Sequence, residues 1–121
     1  MRIYKHGYFQ KWASSENLTD EVLKKVIVEL TEGLHDGNLG GGLFKKRLRM
    51  QGKGKRGSYR TLIAFKQEAR AFFVYGFSKN ERENITLKEQ AVYKDLAKVL
   101  LNLEGKTLEN MLKIGTLIEV T

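Results

Sequence analysis

The residues best equipped for chemistry lie close together in the chain. From Phe44 onward the residues alternate, with Phe44, Leu48 and Met50 on one side and Lys45, Arg47 and Arg49 on the other, the period of two that a half-buried strand requires. Gln51-Gly-Lys-Gly-Lys-Arg-Gly then places Lys53, Lys55 and Arg56 on a glycine-spaced loop, and Tyr59 and Arg60 open the next strand-like run. Guanidinium forks match phosphate oxygens, and aromatic faces stack unpaired bases. With Tyr59, Tyr75 and Phe77 interleaved, the set suits single-stranded RNA. It would also permit cleavage without a metal or histidine. RNA carries its own nucleophile, the 2′-hydroxyl, and Lys and Arg can stabilise the charge that develops at phosphorus.

The charge balance supports a polyanion as partner. The 121 residues carry a formal charge of +8, but it is not spread evenly. Leu43 to Arg82 holds twelve Lys and Arg against two acids, Glu68 and Glu81, a local +10, while the rest of the chain stands at −2. A single basic block beside a balanced remainder is the electrostatic footprint of a protein that meets phosphates.

Other chemistries find little here. There is no cysteine, so disulfides and thiolate ligands or nucleophiles are excluded, as suits a reducing cytosol. His6 and His35 lie far apart with no acidic partner at ligand spacing, and no metal or other cofactor is expected. Glu68 and Glu81 fall at a hairpin turn and at a strand-to-helix junction, which argues against a paired-carboxylate hydrolase. The Gly-Lys-Gly-Lys-Arg-Gly run lacks the glycine spacing and the Ser or Thr of a Walker motif. No apolar run at the start resembles a signal peptide and none approaches a membrane span, so a cytoplasmic protein with no membrane role is expected.

Elements must position these residues. A short strand at Arg2 to Lys5 leads into a helical piece with Phe9 and Trp12 on one face. Thr19 is the N-cap of a helix reaching about Glu32, with Asp20 and Glu21 in its first turn and Leu18 and Leu23 spaced as a hydrophobic staple. His35 to Gly42 reads as a loop. The strand at Phe44, Tyr59 to Lys66 and Ala71 to Phe77 form a three-stranded antiparallel meander. Thr86 and Glu89 fit a capping box, followed by a long amphipathic helix through Leu87, Ala91, Leu96, Val99, Leu100 and Leu103. A short helix from about Thr107 to Lys113 and a strand-like Leu117 to Val120 complete the chain. The expected fold is α+β: a small antiparallel sheet with N-terminal helices and a long C-terminal helix packed against it, residues 1 to 121 forming one domain.

Three runs carry a family resemblance: Gly40-Gly-Gly-Leu-Phe-Lys-Lys-Arg-Leu-Arg49, Gly52-Lys-Gly-Lys-Arg-Gly-Ser-Tyr-Arg-Thr-Leu-Ile-Ala-Phe65, and Phe72-Phe-Val-Tyr-Gly-Phe-Ser-Lys-Asn-Glu-Arg-Glu-Asn-Ile85. Together they resemble the HigB-like branch of the RelE/ParE toxin superfamily. The resemblance implies a RelE-like fold and a ribosome-dependent mRNA endonuclease that inhibits translation. It also implies a co-expressed antitoxin with a helix-turn-helix domain, HigA-like, through which alone operator DNA would be met. By the same resemblance Lys45 and Arg47 flank the scissile phosphate, with Arg49 continuing the row. Arg60, in Ser58-Tyr59-Arg60, contacts the phosphate in the transition state, and Lys79 follows the last meander strand with Arg82 behind it.

Two positions depart from the pattern. Asn80 stands where RelE proper has an Arg, and no Tyr lies between Glu83 and Leu87 to match the catalytic Tyr of RelE. Either Lys79, Tyr75 or the loop cations Lys53 and Lys55 take over proton transfer and charge stabilisation, or the chain cleaves by a modified mechanism. The catalytic set is therefore Arg47, Lys55, Arg60, Tyr75 and Lys79, and the RNA-binding set Lys45, Arg49, Lys53, Arg56, Tyr59, Phe77 and Arg82. Two other readings remain: a ParE-like toxin acting on gyrase without cutting RNA, and a non-catalytic nucleic-acid-binding regulator.

Overall fold

A computed structural model describes residues 1–49 and 58–121. Met50 to Gly57 lies outside the described residues, and with it Lys53, Lys55 and Arg56; of Arg49 only the backbone is described. The elements follow in the order β1 (Arg2–His6), α1 (Gly7–Ser15), α2 (Asp20–Thr31), β2 (Gly37–Gly40), β3 (Leu43–Arg49), β4 (Ser58–Lys66), β5 (Arg70–Ser78), α3 (Leu87–Leu101), α4 (Gly105–Lys113) and β6 (Leu117–Glu119). The strands form one six-stranded sheet in the order β2-β3-β4-β5-β1-β6. Only the β1–β5 pair is parallel; the other neighbours run antiparallel, so the architecture is α+β.

Both faces of the sheet are covered, which explains why the central strands β4 and β5 are apolar over most of their length. On one face Phe9, Ala13, Leu23, Val26 and Leu30 of α1 and α2 pack with Tyr59, Ile63 and Phe73. On the other, Ala97 and Leu100 of α3 and Leu108 of α4 pack with Leu43, Leu62, Phe72 and Leu117. Large side chains buried completely, such as Phe9, Phe72 and Phe73, each contribute about 1.5–3 kcal/mol of apolar transfer.

The helix starts agree with the expected caps. The Thr19 hydroxyl accepts from the Val22 N–H, and Leu18 and Leu23 are both buried beneath that turn. Thr86 and Glu89 form the full capping box at α3.

Elsewhere the structure corrects the expectation. The glycine-rich run after His35 is not only a loop: Gly37 to Gly40 pairs with β3 as an edge strand, closed by a tight hairpin. Gly42 there has φ +85°, a left-handed conformation that favours glycine, and a Cβ on it would sit 2.5 Å from Leu101 Cδ1, so a larger residue would be strained and would have to displace that side chain. The apolar stripe assigned to α3 is also rotated. Ala97 and Leu100 are buried, whereas Leu87 and Val99 are largely exposed. The helix stops at Leu101, and Gly105 opens α4. The C-terminal strand is paired internally, β6 running antiparallel to β1.

Candidate nucleic-acid interface

A bulge decides what the basic row faces. Along β4, Tyr59 and Ile63 point toward α1 and α2, while Leu62 and Ala64 point toward α3. On β5, Phe72 and Val74 share the α3 face, and simple alternation would turn Tyr75 and Phe77 away from it. The register instead shifts: Ile63 pairs with Phe73 but Leu62 with Tyr75, leaving Val74 extra. Such a bulge reverses the alternation. Tyr75 and Phe77 join the α3 face and Gly76 turns to α1, where a Cβ would meet Trp12 Cζ3 at 2.2 Å.

The register then sets Arg47, Arg60 and Phe77 side by side across β3, β4 and β5, with Lys45, Leu62 and Tyr75 in the next row. Two guanidinium-bearing residues directly opposite each other oppose strand pairing by a few tenths to about 1 kcal/mol. No carboxylate offsets them: among the described residues, none of the ion pairs involves Lys45, Arg47, Arg60 or Lys79. Arg60 Nη1 is buried with no hydrogen-bond partner among the described residues. A buried donor left unmatched costs about 1–3 kcal/mol, which an incoming anionic oxygen would recover. Asp36 lies nearby, but its carboxylate accepts the Arg47 backbone N–H and holds the strand. Lys46 points to the opposite face and pairs with Glu29 at 3.3 Å.

Lys79 comes to this end of the sheet through its backbone, its N–H donating to the Ser58 carbonyl at 3.2 Å, and its side chain is exposed. The cations at this end of the sheet thus come from two strands, β3 and β4, and from the turn after β5.

Arg82 is held differently from the expectation. Its Nη1 and Nη2 donate to the two Glu89 carboxylate oxygens at 3.0 and 2.5 Å, and Nη1 also donates to the Tyr75 hydroxyl oxygen at 3.2 Å. The guanidinium lies over the Phe77 ring, 5.5 Å from its centre. The Arg82 hydrogen bonds, aided by the Thr86 backbone N–H, hold the Glu89 carboxyl down at about 2, and Glu89 in turn raises Arg82 above its ordinary range. Arg82 therefore works as a brace that orients Tyr75 and fixes the start of α3.

The other expected aromatics separate. Tyr59 sits on the α1 and α2 face, buried, with its ring edge-on to Trp12 at 5.5 Å; burial raises its phenol pKa. It is placed as core packing, away from the cationic row. Phe77 is on the row's face but is 3% exposed, covered by Arg82 and Tyr75. Tyr75 remains partly exposed and stacks on Tyr93 of α3 at 5.1 Å.

Beside the row a cleft of about 430 Å³ opens where β1 ends. The last β1–β5 pair is Lys5 with Phe73, so β5 beyond it has a neighbour on one side only. Tyr75, Phe77 and Arg82 line this cleft together with His6, Tyr8, Trp12 and Tyr93, none of which the sequence placed at the site. His6 caps α1, its Nδ1 accepting the Tyr8 N–H at 3.2 Å, and burial lowers its pKa. No sequence signal links His6 to Phe77, since their meeting at one cleft depends on where β1 stops within the sheet. Among the described residues no group of three or more His, Asp or Glu is placed to hold a metal ion, and no helix is long and apolar enough to cross a membrane.

The structure is thus an α+β sheet with Arg47 and Arg60 side by side at one end and, among the described residues, no ion pair to either. The family model for the RelE toxin of the RelE/RelB toxin–antitoxin system matches residues 1–120, and the chain belongs to that family. It is thus the toxin half of a toxin–antitoxin pair, with a cognate antitoxin as partner. No curated protein matches the chain.

Proposed function

We propose that this toxin is a metal-independent endoribonuclease that cuts mRNA on the ribosome and so inhibits translation. The reading places it in the cytoplasm and in the HigB-like branch, held inactive by a helix-turn-helix antitoxin. The observation that carries it is the Arg47–Arg60 row with its Arg60 Nη1 donor, unmatched among the described residues, because an anionic oxygen placed there would recover the cost of that donor.

In the proposed reaction the 2′-hydroxyl attacks the adjacent phosphorus, the bond to the 5′-oxygen breaks, and the products are a 2′,3′-cyclic phosphate and a 5′-hydroxyl. Arg60 and Arg47 stabilise the additional negative charge on the non-bridging oxygens, with Lys45 anchoring the strand beside them. Tyr75 is braced by Arg82, which donates to its oxygen and leaves the phenol proton free for the departing 5′-oxygen. Lys79, exposed at the turn, takes the 2′-hydroxyl proton or supplies charge, a role that Lys55 in the glycine-spaced run would share. Lys53, Arg56 and Arg49 contribute further phosphate contacts.

The test is controlled expression with mapping of mRNA ends on translating ribosomes, comparing wild type with Arg60→Ala and Lys79→Ala. New ends in the wild type that disappear in the variants are expected. Growth arrest without new ends removes the nuclease reading, and cleavage retained by both variants removes the site.

A further inference from the structure

We propose that the cleft at the open edge of β5 is a subsite for one unpaired nucleobase of the RNA whose phosphate lies at Arg60. This rests on the endoribonuclease reading and names where the substrate continues. Three observations point to it. The lining is aromatic on opposing sides: Tyr8 and Trp12 come from α1, while Tyr75 and Tyr93 stack on each other across β5 and α3. The cleft is continuous with the cation row, because Phe77, which borders it, is the cross-strand partner of Arg60. Tyr8 is 77% exposed and stacks on His6 at 5.4 Å, an apolar platform left in solvent with no core to join.

The size fits: about 430 Å³ accommodates a base with its sugar. A base has a π face whatever its identity, so aromatic walls fix its position without selecting its sequence. His6 adds one polar contact. With Nδ1 committed to the Tyr8 N–H, the neutral ring carries its proton on Nε2 and can donate to a base acceptor. An added protein strand fits less well. The unpaired edge runs only from Val74 to Ser78 before the chain turns, and α1 and α3 flank it on both faces.

Trp12 is the only tryptophan of the chain, so it reports on the cleft directly. The experiment titrates the full-length toxin with a short single-stranded 2′-O-methyl oligoribonucleotide, which binds but lacks the nucleophile, and follows Trp12 emission. Quenching is expected, with affinity about tenfold weaker for Tyr8→Ala and for an oligonucleotide abasic at the one position seated in the cleft. Moving the abasic site along the strand should locate that single position. Val28→Ser, exposed on α2, serves as the control and should bind as wild type. Absence of quenching, or affinities indifferent to both Tyr8→Ala and every abasic position, overturns the subsite and leaves the β5 edge to a peptide. If these fail while Arg60-dependent mRNA ends still appear, the subsite is wrong and the nuclease reading stands; if neither appears, both fall.

Discussion

Replacing Arg60 by Met should make the protein more stable and nearly inactive at once. Met fills a similar volume along the side-chain stem, so little packing is lost. What disappears is a buried Nη1 donor with no partner among the described residues, a defect of about 1–3 kcal/mol. The cross-strand opposition to Arg47 also goes, worth a few tenths to about 1 kcal/mol. Arg60 is partly exposed, and the rest of its guanidinium loses solvation or contacts that offset some of this gain. A net stabilisation of about 1 kcal/mol is expected, roughly 4 °C in Tm for a domain of this size. Cleavage should fall by about 10²–10³-fold, the loss typical of removing one preorganised donor to a developing oxyanion. Thermal denaturation followed by circular dichroism and single-turnover cleavage of ribosome-bound mRNA measure the two quantities on the same preparation. A variant that melts clearly below wild type, or one that cuts within about threefold of it, refutes the claim that this donor is held in reserve for phosphate.

Three further outcomes follow from local geometry. Gly76→Ala drives a Cβ to 2.2 Å from Trp12 Cζ3, and it should destabilise the fold by about 1–3 kcal/mol and alter Trp12 emission; equal melting curves would show that α1 yields freely. Glu89 is held at about 2 against an ordinary 4.5, so the stability it supplies is complete above about pH 4.5 and is lost as pH falls toward 2; the Tm difference between wild type and Glu89→Gln should shrink across that window, and a difference independent of pH rejects the Arg82 brace. Lys5, buried on β1, donates to Asp20 at 2.6 Å, and Asp20 also accepts the Thr121 N–H. Burial alone would raise the Asp20 pKa, but those hydrogen bonds and the Lys5 charge outweigh it and the net shift is downward. Because Asp20 is partly exposed, Lys5→Met should cost about 1–3 kcal/mol, less than a fully buried pair, and a double-mutant cycle with Asp20→Asn should show coupling above about 0.5 kcal/mol.

Local signals carried most of the fold. Thr19 and Thr86 sit where their side chains can accept from the N–H groups three residues on, information contained within four residues, and both helices start there. The three meander strands announced themselves by composition. The edge strand at Gly37 did not, because its pairing partner and not its own residues makes it a strand. The α3 stripe was misjudged for a related reason. Leu87 and Val99 are apolar but face solvent, and their periodicity cannot say which of two apolar arcs the sheet will cover.

The site was half legible, and the division has a physical cause. That Lys45 and Arg47 share one sheet face was readable from the period of two, which also turns Lys46 the other way, to Glu29. Tyr59 misled because a tyrosine next to a basic loop looks the same whether it faces RNA or Trp12; only the odd-numbered face of β4 decides, and that face is core. Tyr75 and Phe77 reached the row through a bulge at Val74 that no residue type advertises. Arg82, by contrast, looked like another free cation until Glu89, seven residues on, was found to claim it. The informative places are those where local rules are broken: two arginines opposed across a strand pair, a buried donor without an acceptor among the described residues, an exposed tyrosine on a helix start. A chain selected for folding alone would have relieved each with one substitution. All three lie near the site at which the proposed substrate, a run of phosphates with a base beside it, would sit, and that proposal accounts for them together.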